Sequence, residues 1–404
     1  MTKKENPVLR IVACVLVQVC IGIIYAWSAL RAGAIEYYGW DPAAATLVAS
    51  FMLFAFCFGN FAGGAMNDRI GPKTVCFVGV ALFGLGILLS SFLRPGSSVV
   101  LFYVTYGVIG GFGSGTAYGA ILACIQRWFP HKRGFATGLA AGAFGFSTFI
   151  FSFVIKAMLK SMTISSTLLA MAVIFLVVGL GASALIALPS QEYLATLPVP
   201  APKKTSITST EDKPLSKAIR TLPFWCLLFS IFFYNGTWNM LNPIIRDLGL
   251  ERGLSDGSAT LLLSLTGLAN AAGRLIMSSA SDKLGRITTC HILSVATIVC
   301  ALLLMFVGKG GYFAVVLLTA FAFGGPAAIN PATTSDFFGP KYTGTNYGVI
   351  MLSLGFSSII FNAISGKLVA ATGSYMLTFV MGAVTALINI GFFMVISRCL
   401  KKQK

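Results

Sequence analysis

Long apolar stretches recur along the whole of this sequence and limit what it can fold into. Each holds about 20 residues, the length that an α-helix needs to cross a hydrocarbon core about 30 Å thick. The 404 residues are 56% hydrophobic and 10% charged, whereas a soluble domain carries about 25% charged residues. We therefore predict an all-α membrane protein with twelve spans, at about residues 9–30, 44–66, 74–93, 99–124, 134–158, 165–188, 221–244, 257–281, 288–308, 312–334, 345–369 and 374–397.

The positive charges are distributed unevenly between the connections that join these spans. Of the 29 Lys and Arg residues, 20 lie on the side of the two termini, eight lie on the opposite side, and Arg274 lies within a span. Because cytoplasmic loops carry the excess of Lys and Arg, we expect both termini in the cytoplasm of a multi-pass protein in the plasma or inner membrane. The net charge of +17 is then a topology signal, and no nucleic-acid partner is expected.

The sequence gives no indication of an enzyme or a metalloprotein. Its nine cysteines are scattered singly, without CxxC pairs or histidine clusters, and are expected to be small packing residues. No nucleophile–base pair or phosphate-binding loop is recognisable. We therefore predict a protein that has no enzymatic activity, metal or cofactor and whose surroundings are the lipid bilayer.

One charge interrupts the apolar stretch of residues 257–280. Arg274 lies eight residues before Asp282, which with Arg286 belongs to a polar cluster marking the membrane surface, so Arg274 lies roughly 12 Å inside that surface. A charge at that depth costs at least about 2.5–3.5 kcal/mol and normally faces a water-filled cavity. Our hypothesis is that Arg274 binds the carboxylate of a small organic anion during transport. Asn270, one turn earlier, lies on the same face of the helix.

Two loops repeat one spacing of glycine and charged residues. Gly64, Asp68 and Arg69 lead into a Gly-Pro turn after the second span, and Asp282 and Arg286 repeat the pattern 214 residues later, after the eighth. Gly64 allows another helix to approach closely, and Asp68 can accept hydrogen bonds from a neighbouring helix N-terminus. We expect these residues to form gating loops; an ordinary solvated loop is the alternative.

The loop pattern G-x-x-x-D-R-x-G-x-K resembles the signature of the major facilitator superfamily. The combination YGxxxxxxxRWFPxKRGxAxG, which starts at Tyr118, and the run Asn346-Tyr347-Gly348 resemble its oxalate–formate antiporter and monocarboxylate transporter branch. The resemblance implies two pseudo-symmetric six-helix bundles with the substrate between them. We expect these bundles at residues 1–190 and 221–404, joined by a cytoplasmic linker over 191–220.

The same resemblance extends to the residues around the bound carboxylate. We expect Tyr118 and Asn270 to orient the substrate on Arg274, although a structural hydrogen bond is an equal alternative for Tyr118. Related monocarboxylate transporters often carry an aspartate at the position of Asn270, so this chain departs from their proton-carrying Asp–Arg pair. The apolar walls are expected from four further residues, namely Tyr25, Leu30, Phe323 and Phe356.

These observations predict a secondary active transporter of small monocarboxylates such as lactate or pyruvate, working by alternating access. None of the twelve acidic residues lies mid-span, which argues against an exporter of organic cations. The resembling oxalate exchanger has a lysine where this chain has Leu354, so one buried arginine favours a single carboxylate. Oxalate–formate antiport is the alternative, and a membrane sensor that only binds a metabolite is a third possibility.

The sequence leaves the coupling ion open. Proton-linked uptake and anion exchange both suit a carrier whose substrate neutralises Arg274. If protons are partners, the available titrating groups are Glu251, Asp247 and the substrate itself.

Overall fold

The computed structural model of the chain describes residues 6–23, 27–197 and 211–401, and every regular element in those ranges is helical. A π-helical segment, Tyr103–Gly110, joins the fifth and sixth helices, and a 3-10 turn, Asn242–Ile244, follows the eleventh. In chain order the α-helices are α1 Pro7–Ile21, α2 Trp27–Tyr38, α3 Pro42–Ile70, α4 Pro72–Ser91, α5 Val99–Phe102, α6 Gly111–Trp128, α7 Arg133–Leu159, α8 Ile164–Ala184, α9 Gln191–Thr196, α10 Leu215–Ala218, α11 Leu222–Leu241, α12 Ile245–Glu251, α13 Asp256–Leu284, α14 Arg286–Leu303, α15 Lys309–Phe338, α16 Thr343–Thr372 and α17 Met376–Lys401.

Ten helical segments in the described ranges are long and apolar enough to cross a membrane. They coincide with ten of the twelve predicted spans. The other two predicted spans correspond to α1, which has only 15 residues, and to α11, whose 20 residues include several polar side chains. The polar residues of α11 lower its mean hydropathy. Several of them are buried inside the bundle, so they do not meet lipid.

Local sequence explains where the helices begin and end. Proline occupies the first turn of α3 and α4, where its missing N–H costs no helical hydrogen bond. Asp41 caps α3 by accepting from the amide of Ala44 at 2.9 Å. Gly71 and Gly285 end α3 and α13 at matching places in the two repeated loops, with φ of 82° and 91°. Glycine adopts that left-handed backbone without steric cost, which permits the sharp turn into the next helix.

Small residues allow the helices to pack closely. Gly111 and Gly115 on α6 lie directly against α3, where a Cβ added to either would overlap the carbonyl oxygen of Met52 or Phe56. The repeating glycines of this segment are therefore a packing face. Gly324 on α15 lies equally close to the backbone of Asn270 on α13, which brings these two helices almost into backbone contact.

Two helix pairs make the most extensive contacts between the first part of the chain, α1–α8, and the second part, α11–α17. In one pair, α7 packs against α13, and Gly138 lies next to the carbonyl oxygen of Arg274. In the other pair, α3 packs against α16, and Gly64 faces Gly344 with no space for a side chain between them. These two pairs bring the apolar interiors of both parts together around a shared centre. The boundaries of the two bundles at residues 190 and 221 stay a prediction.

The end of the predicted linker lies against the connection between α15 and α16. The amide of Lys213 donates to the carbonyl of Phe338 at 2.8 Å, and the Asp212 carboxylate accepts from the amide of Lys341 at 3.0 Å. Asn346 donates in turn to the carbonyl of Lys213 at 2.9 Å. The chain therefore enters the second part with its backbone already held by that part.

We expect Gly115→Ala to destabilise the protein by about 1–3 kcal/mol, because the added methyl group must push α6 away from α3. Gly181→Ala on α8 is the matched control, since a Cβ there has nothing within 4 Å and alanine is the better helix former by up to about 1 kcal/mol. The measurement is the unfolding temperature of each purified variant in the same detergent. Equal unfolding temperatures would contradict the close packing described for α6.

Candidate functional site

A cavity of about 30 Å³ lies where the two parts of the chain meet. The first part contributes residues from α3, α6 and α7, and the second part contributes residues from α11, α13, α15 and α16. Most of the lining is aromatic or aliphatic. The lining residues are Phe56, Tyr118, Phe144, Ile231, Tyr234, Asn235, Arg274, Phe323, Pro326, Ala327, Asn330, Tyr347, Met351 and Leu354.

Arg274 supplies the charge of this cavity. Its side chain is only 3% exposed, and its guanidinium lies 5.9 Å from the centre of the Phe144 ring. The Nε atom donates to Oδ1 of Asn270 at 2.8 Å, and Nη1 donates to the backbone carbonyl of Ala141 at 3.2 Å. Since Ala141 lies on α7, these hydrogen bonds hold the guanidinium against both parts of the chain.

The polar contacts of Arg274 do not neutralise it. Among the described residues, every other residue that lines the cavity is uncharged, and the hydrogen-bond acceptors of Arg274 are an amide and a carbonyl. A guanidinium has five N–H donors, of which these contacts use two. Donors and charge are therefore available to a ligand inside the cavity.

Asn270 is held in place from both ends of its carboxamide. It is 8% exposed, and while its Oδ1 accepts from Arg274, its Nδ2 donates to the carbonyl of Ala320 on α15 at 3.5 Å. The neutral amide fixes the direction of the guanidinium without cancelling its charge. Asn270 itself is not among the residues that line the cavity, and it contacts the cavity wall through Arg274.

Aromatic side chains form the walls next to the guanidinium. Tyr118 is 1% exposed, with its ring centre 4.9 Å from that of Phe144 and 5.2 Å from that of Phe56. On the opposite side, Phe323 stacks on Trp238 with ring centres 5.0 Å apart. These rings restrict the space beside Arg274.

Other predicted site residues lie away from this cavity. Leu30 is buried, at 1% exposure, in the apolar core of the first part, and Phe356 is 48% exposed and packs edge-on against Phe54. Tyr25 lies outside the described residues. Among the predicted wall residues that the structure describes, Phe323 therefore lines the cavity, whereas Leu30 and Phe356 do not.

The predicted proton-coupling residues are exposed on the short helix α12. Asp247 lies 3.7 Å from Arg246, with 68% of its side chain accessible, and Glu251 ends the helix at an exposed position. Neither lines the cavity. In this structure both carboxylates are thus separated from the charge of Arg274.

The first repeated loop contacts the second part of the chain. The Asp68 carboxylate accepts from the backbone amide of Thr345 at 2.9 Å and from its hydroxyl at 2.6 Å, at the N-terminal end of α16. Gly64 supplies the close approach of α3 to Gly344 that this contact needs. Arg69 is exposed at the end of α3.

The second repeated loop, in the second part of the chain, makes the corresponding contact with the first part. The Asp282 carboxylate accepts from the amides of Gly134 and Phe135 at 3.0 and 2.9 Å, at the N-terminal end of α7. A helix N-terminus favours a negative charge. Each loop therefore caps a helix of the other part of the chain, and we call the end of the helices at which both loops lie the signature face. Arg286 holds Asp282 at 2.7 Å.

Sequence reasoning did not identify several residues of the signature face and the cavity. Asp336 on α15 pairs with both Arg133 and Arg286, each at 3.0 Å. Arg133 belongs to the basic run after Trp128, which the sequence indicated only as a topology signal. Tyr347 and Asn330 also line the cavity. The sequence marked Tyr347 only as part of the run that carries the family resemblance, and it gave no signal for Asn330.

The family model of the Major Facilitator Superfamily matches residues 12–361, and a second match covers residues 227–403. The chain belongs to the Major Facilitator Superfamily. The predicted fold class, an all-α membrane protein with twelve transmembrane helices in two pseudo-symmetric bundles, is confirmed. Membership of this superfamily makes the chain a multi-pass membrane transporter.

Similar proteins within the superfamily include carriers of small organic anions. The chain is 26% identical to the oxalate:formate antiporter of Oxalobacter formigenes, over 94% of this chain and 88% of that protein. It is 26% identical to apicoplast pyruvate carrier 1 of Toxoplasma gondii, over 97% of this chain and 89% of the carrier. The solved structure of FucP from E. coli in the outward conformation has a TM-score of 0.73 at 15% identity, covering 97% of this chain and 99% of that one.

We expect Asp282→Asn to speed hydrogen exchange in a peptide covering residues 133–140 by about tenfold, because hydrogen bonds to a charged group contribute about 1.5–3 kcal/mol. The measurement is hydrogen–deuterium exchange of the purified transporter in detergent. Asp256→Asn is the control, since Asp256 pairs with Arg246 on an exposed surface and does not touch α7. Unchanged exchange at residues 133–140 in Asp282→Asn would contradict the capping contact.

Proposed function

We propose that this transporter carries small monocarboxylates, of the size of lactate and pyruvate, by alternating access with Arg274 binding the carboxylate. The single observation that supports this most strongly is the buried guanidinium with unused donors in an otherwise uncharged cavity. A cation so deep in the membrane is costly. A bound carboxylate supplies the missing negative charge at the place where both parts of the chain meet.

The hydrogen bonds of Arg274 favour one mode of carboxylate binding. Nε is committed to Asn270 and one N–H of Nη1 to Ala141. The second N–H of Nη1 and the N–H groups of Nη2 have no hydrogen-bond partner among the described residues. An end-on pair, with one carboxylate oxygen on each terminal nitrogen, uses these donors without disturbing Asn270. Tyr118 and Phe323 then contact the remainder of the ligand.

Oxalate–formate exchange is the second candidate, and one relative carries that name. A dicarboxylate brings two negative charges into the cavity, and the described lining provides one positive charge. Leu354, at the position where the resembling exchanger has lysine, lines the cavity and is 7% exposed. Burying a second unpaired carboxylate beside leucine is unfavourable. The single positive charge of the lining therefore favours monocarboxylates over dicarboxylates.

In the transport cycle that we propose, the cavity opens in turn to one side of the membrane and then to the other. The signature face, which we assign to the cytoplasmic side of the plasma or inner membrane from the excess of Lys and Arg there, is closed by Asp68 and Asp282. These contacts must break for the substrate to leave on that side. Asp336 with Arg133 and Arg286 adds a half-buried ion-pair network to the same closure.

Proton coupling is part of this proposal, and one measurement separates it from exchange. Proteoliposomes containing the transporter should take up labelled lactate faster when the outside is acidic by one pH unit, because a symported proton adds to the driving force. If uptake instead requires unlabelled anion inside the vesicles and ignores the pH gradient, the carrier is an exchanger. Asp247→Asn and Glu251→Gln then test whether either exposed carboxylate carries the proton.

We expect Arg274→Gln to lower lactate uptake in proteoliposomes at least 100-fold, because glutamine keeps a polar donor in the cavity but removes the charge that holds the carboxylate. The control is Arg94→Gln, which removes an equal charge from an exposed loop residue and should leave uptake within twofold of the parent. Uptake by Arg274→Gln at the parental rate, from vesicles holding equal amounts of folded protein, would refute the proposed carboxylate site.

A further inference from the structure

A proline inside α15 removes a helical hydrogen bond from the wall of the cavity. Pro326 lines the cavity, and because proline has no N–H, the carbonyl of Ala322 four residues earlier loses its helical donor. Phe323 lies within the affected turn and Ala327 follows it directly, and both line the cavity. Since Ala322 is buried, its carbonyl needs a donor from outside this helix.

Tyr234 on α11 supplies that donor. Its hydroxyl donates to the carbonyl of Ala322 at 2.7 Å and lies 3.3 Å from the hydroxyl oxygen of Thr297 on α14. Thr297 in turn donates to the carbonyl of Leu293 at 2.9 Å. One buried hydroxyl therefore connects α11, α14 and α15, and its single proton is used by Ala322.

The same turn of α15 is packed against the helix that carries Arg274. A Cβ added to Gly324 would overlap the carbonyl oxygen of Asn270 and lie 3.1 Å from the backbone nitrogen of Arg274. On the other side, Phe323 stacks on Trp238, which follows Tyr234 by one turn on α11. The position of Phe323 beside the guanidinium thus depends on how α11 and α13 hold this turn.

We propose that Tyr234 positions the α15 wall of the cavity for substrate binding by donating to the carbonyl that Pro326 leaves without a helical partner. This inference rests on the proposed function, because the substrate in question is the monocarboxylate held by Arg274. Tyr234 also lines the cavity, but its one O–H donor is not available to a carboxylate while it is bonded to Ala322. Tyr234 therefore acts through the wall and not by a hydrogen bond to the substrate.

Tyr234→Phe keeps the ring and removes only the hydroxyl. We expect the lactate concentration that gives half-maximal uptake by proteoliposomes to rise about tenfold, the equivalent of about 1.4 kcal/mol, because one buried hydrogen bond is lost. The maximal rate should change less, since the contacts of the signature face are untouched. Because the wall is common to every acid, half-inhibition by pyruvate and by propionate should shift by the same factor.

Pro326→Ala provides the decisive comparison, because alanine at this position restores an N–H that can reach the carbonyl of Ala322. In the Pro326→Ala background, adding Tyr234→Phe should change the half-saturating lactate concentration less than about twofold, against about tenfold in the parent. A tyrosine that donated directly to the substrate would cause the same loss in both backgrounds. That result would overturn the proposal, and so would an unchanged half-saturation in Tyr234→Phe alone.

Tyr312→Phe is the matched control. Tyr312 is a buried tyrosine of α15 whose hydroxyl also donates to a backbone carbonyl, that of Ile245, at 2.7 Å, and it does not line the cavity. We expect this variant to lower the unfolding temperature in detergent, as Tyr234→Phe does, while leaving half-saturation by lactate unchanged. An equal rise of half-saturation in both variants would assign the effect to general stability and overturn the positioning role.

Hydrogen exchange tests the link between Tyr234 and α15 without any substrate. In the purified transporter, a peptide covering residues 320–332 should exchange about tenfold faster in Tyr234→Phe than in the parent. In the Pro326→Ala background, Tyr234→Phe should leave the exchange rate unchanged. Equal exchange in the parent and Tyr234→Phe would refute the positioning role and leave the carboxylate site to the Arg274→Gln test. Absence of lactate uptake by the parent would refute the proposed function instead, so the two proposals fail separately.

Discussion

The structure depends on a positive charge held in the apolar centre of a membrane protein. Arg274 is 3% exposed, and the protein satisfies part of its hydrogen bonding with Asn270 and with the Ala141 carbonyl while leaving its charge without a counter-ion in the described cavity. Neutral acceptors reduce the cost of burial without removing the attraction for an anion. The charge of Arg274 therefore remains available to an anion, as the proposed carboxylate site requires.

The same residue also joins the two parts of the chain. Its Nη1 hydrogen bond reaches α7 in the first part of the chain, whereas its backbone belongs to α13 in the second. Further along the same helix pair, Asp282 caps α7 and pairs with Arg286. The related contact of Asp68 with Thr345 joins α3 to α16. Arg274 and the cap made by Asp282 therefore share one interface, and glycines such as Gly138 allow the two backbones to lie close enough for both.

Sequence reasoning succeeded where placing a residue in its surroundings has a large free-energy cost. Apolar length requires membrane-spanning helices, and Arg274 within such a helix requires a polar cavity, whatever the neighbours are. The repeated Gly-Asp loops carried enough pattern to expect contacts at helix N-termini. Leu30 and Phe356 lie outside the cavity lining of this structure, and their contact with a substrate stays a prediction. An apolar side chain is equally stable against core, lipid or ligand, so its position in the sequence does not distinguish these surroundings.

The sequence by itself determined the all-helical membrane fold and the presence of one buried cation, because unpaired backbone polar groups and charges are costly in hydrocarbon. It also determined the internal repeat, because the same loop pattern occurs twice. Tertiary structure alone decided which groups surround that cation. Asp336 reaches Arg133 across 203 residues, and Tyr234 donates to the carbonyl that Pro326 leaves without a helical partner. Such pairings depend on how helices rotate and approach one another. The rotation of each helix is set by the packing of its neighbours, which no local stretch of sequence specifies.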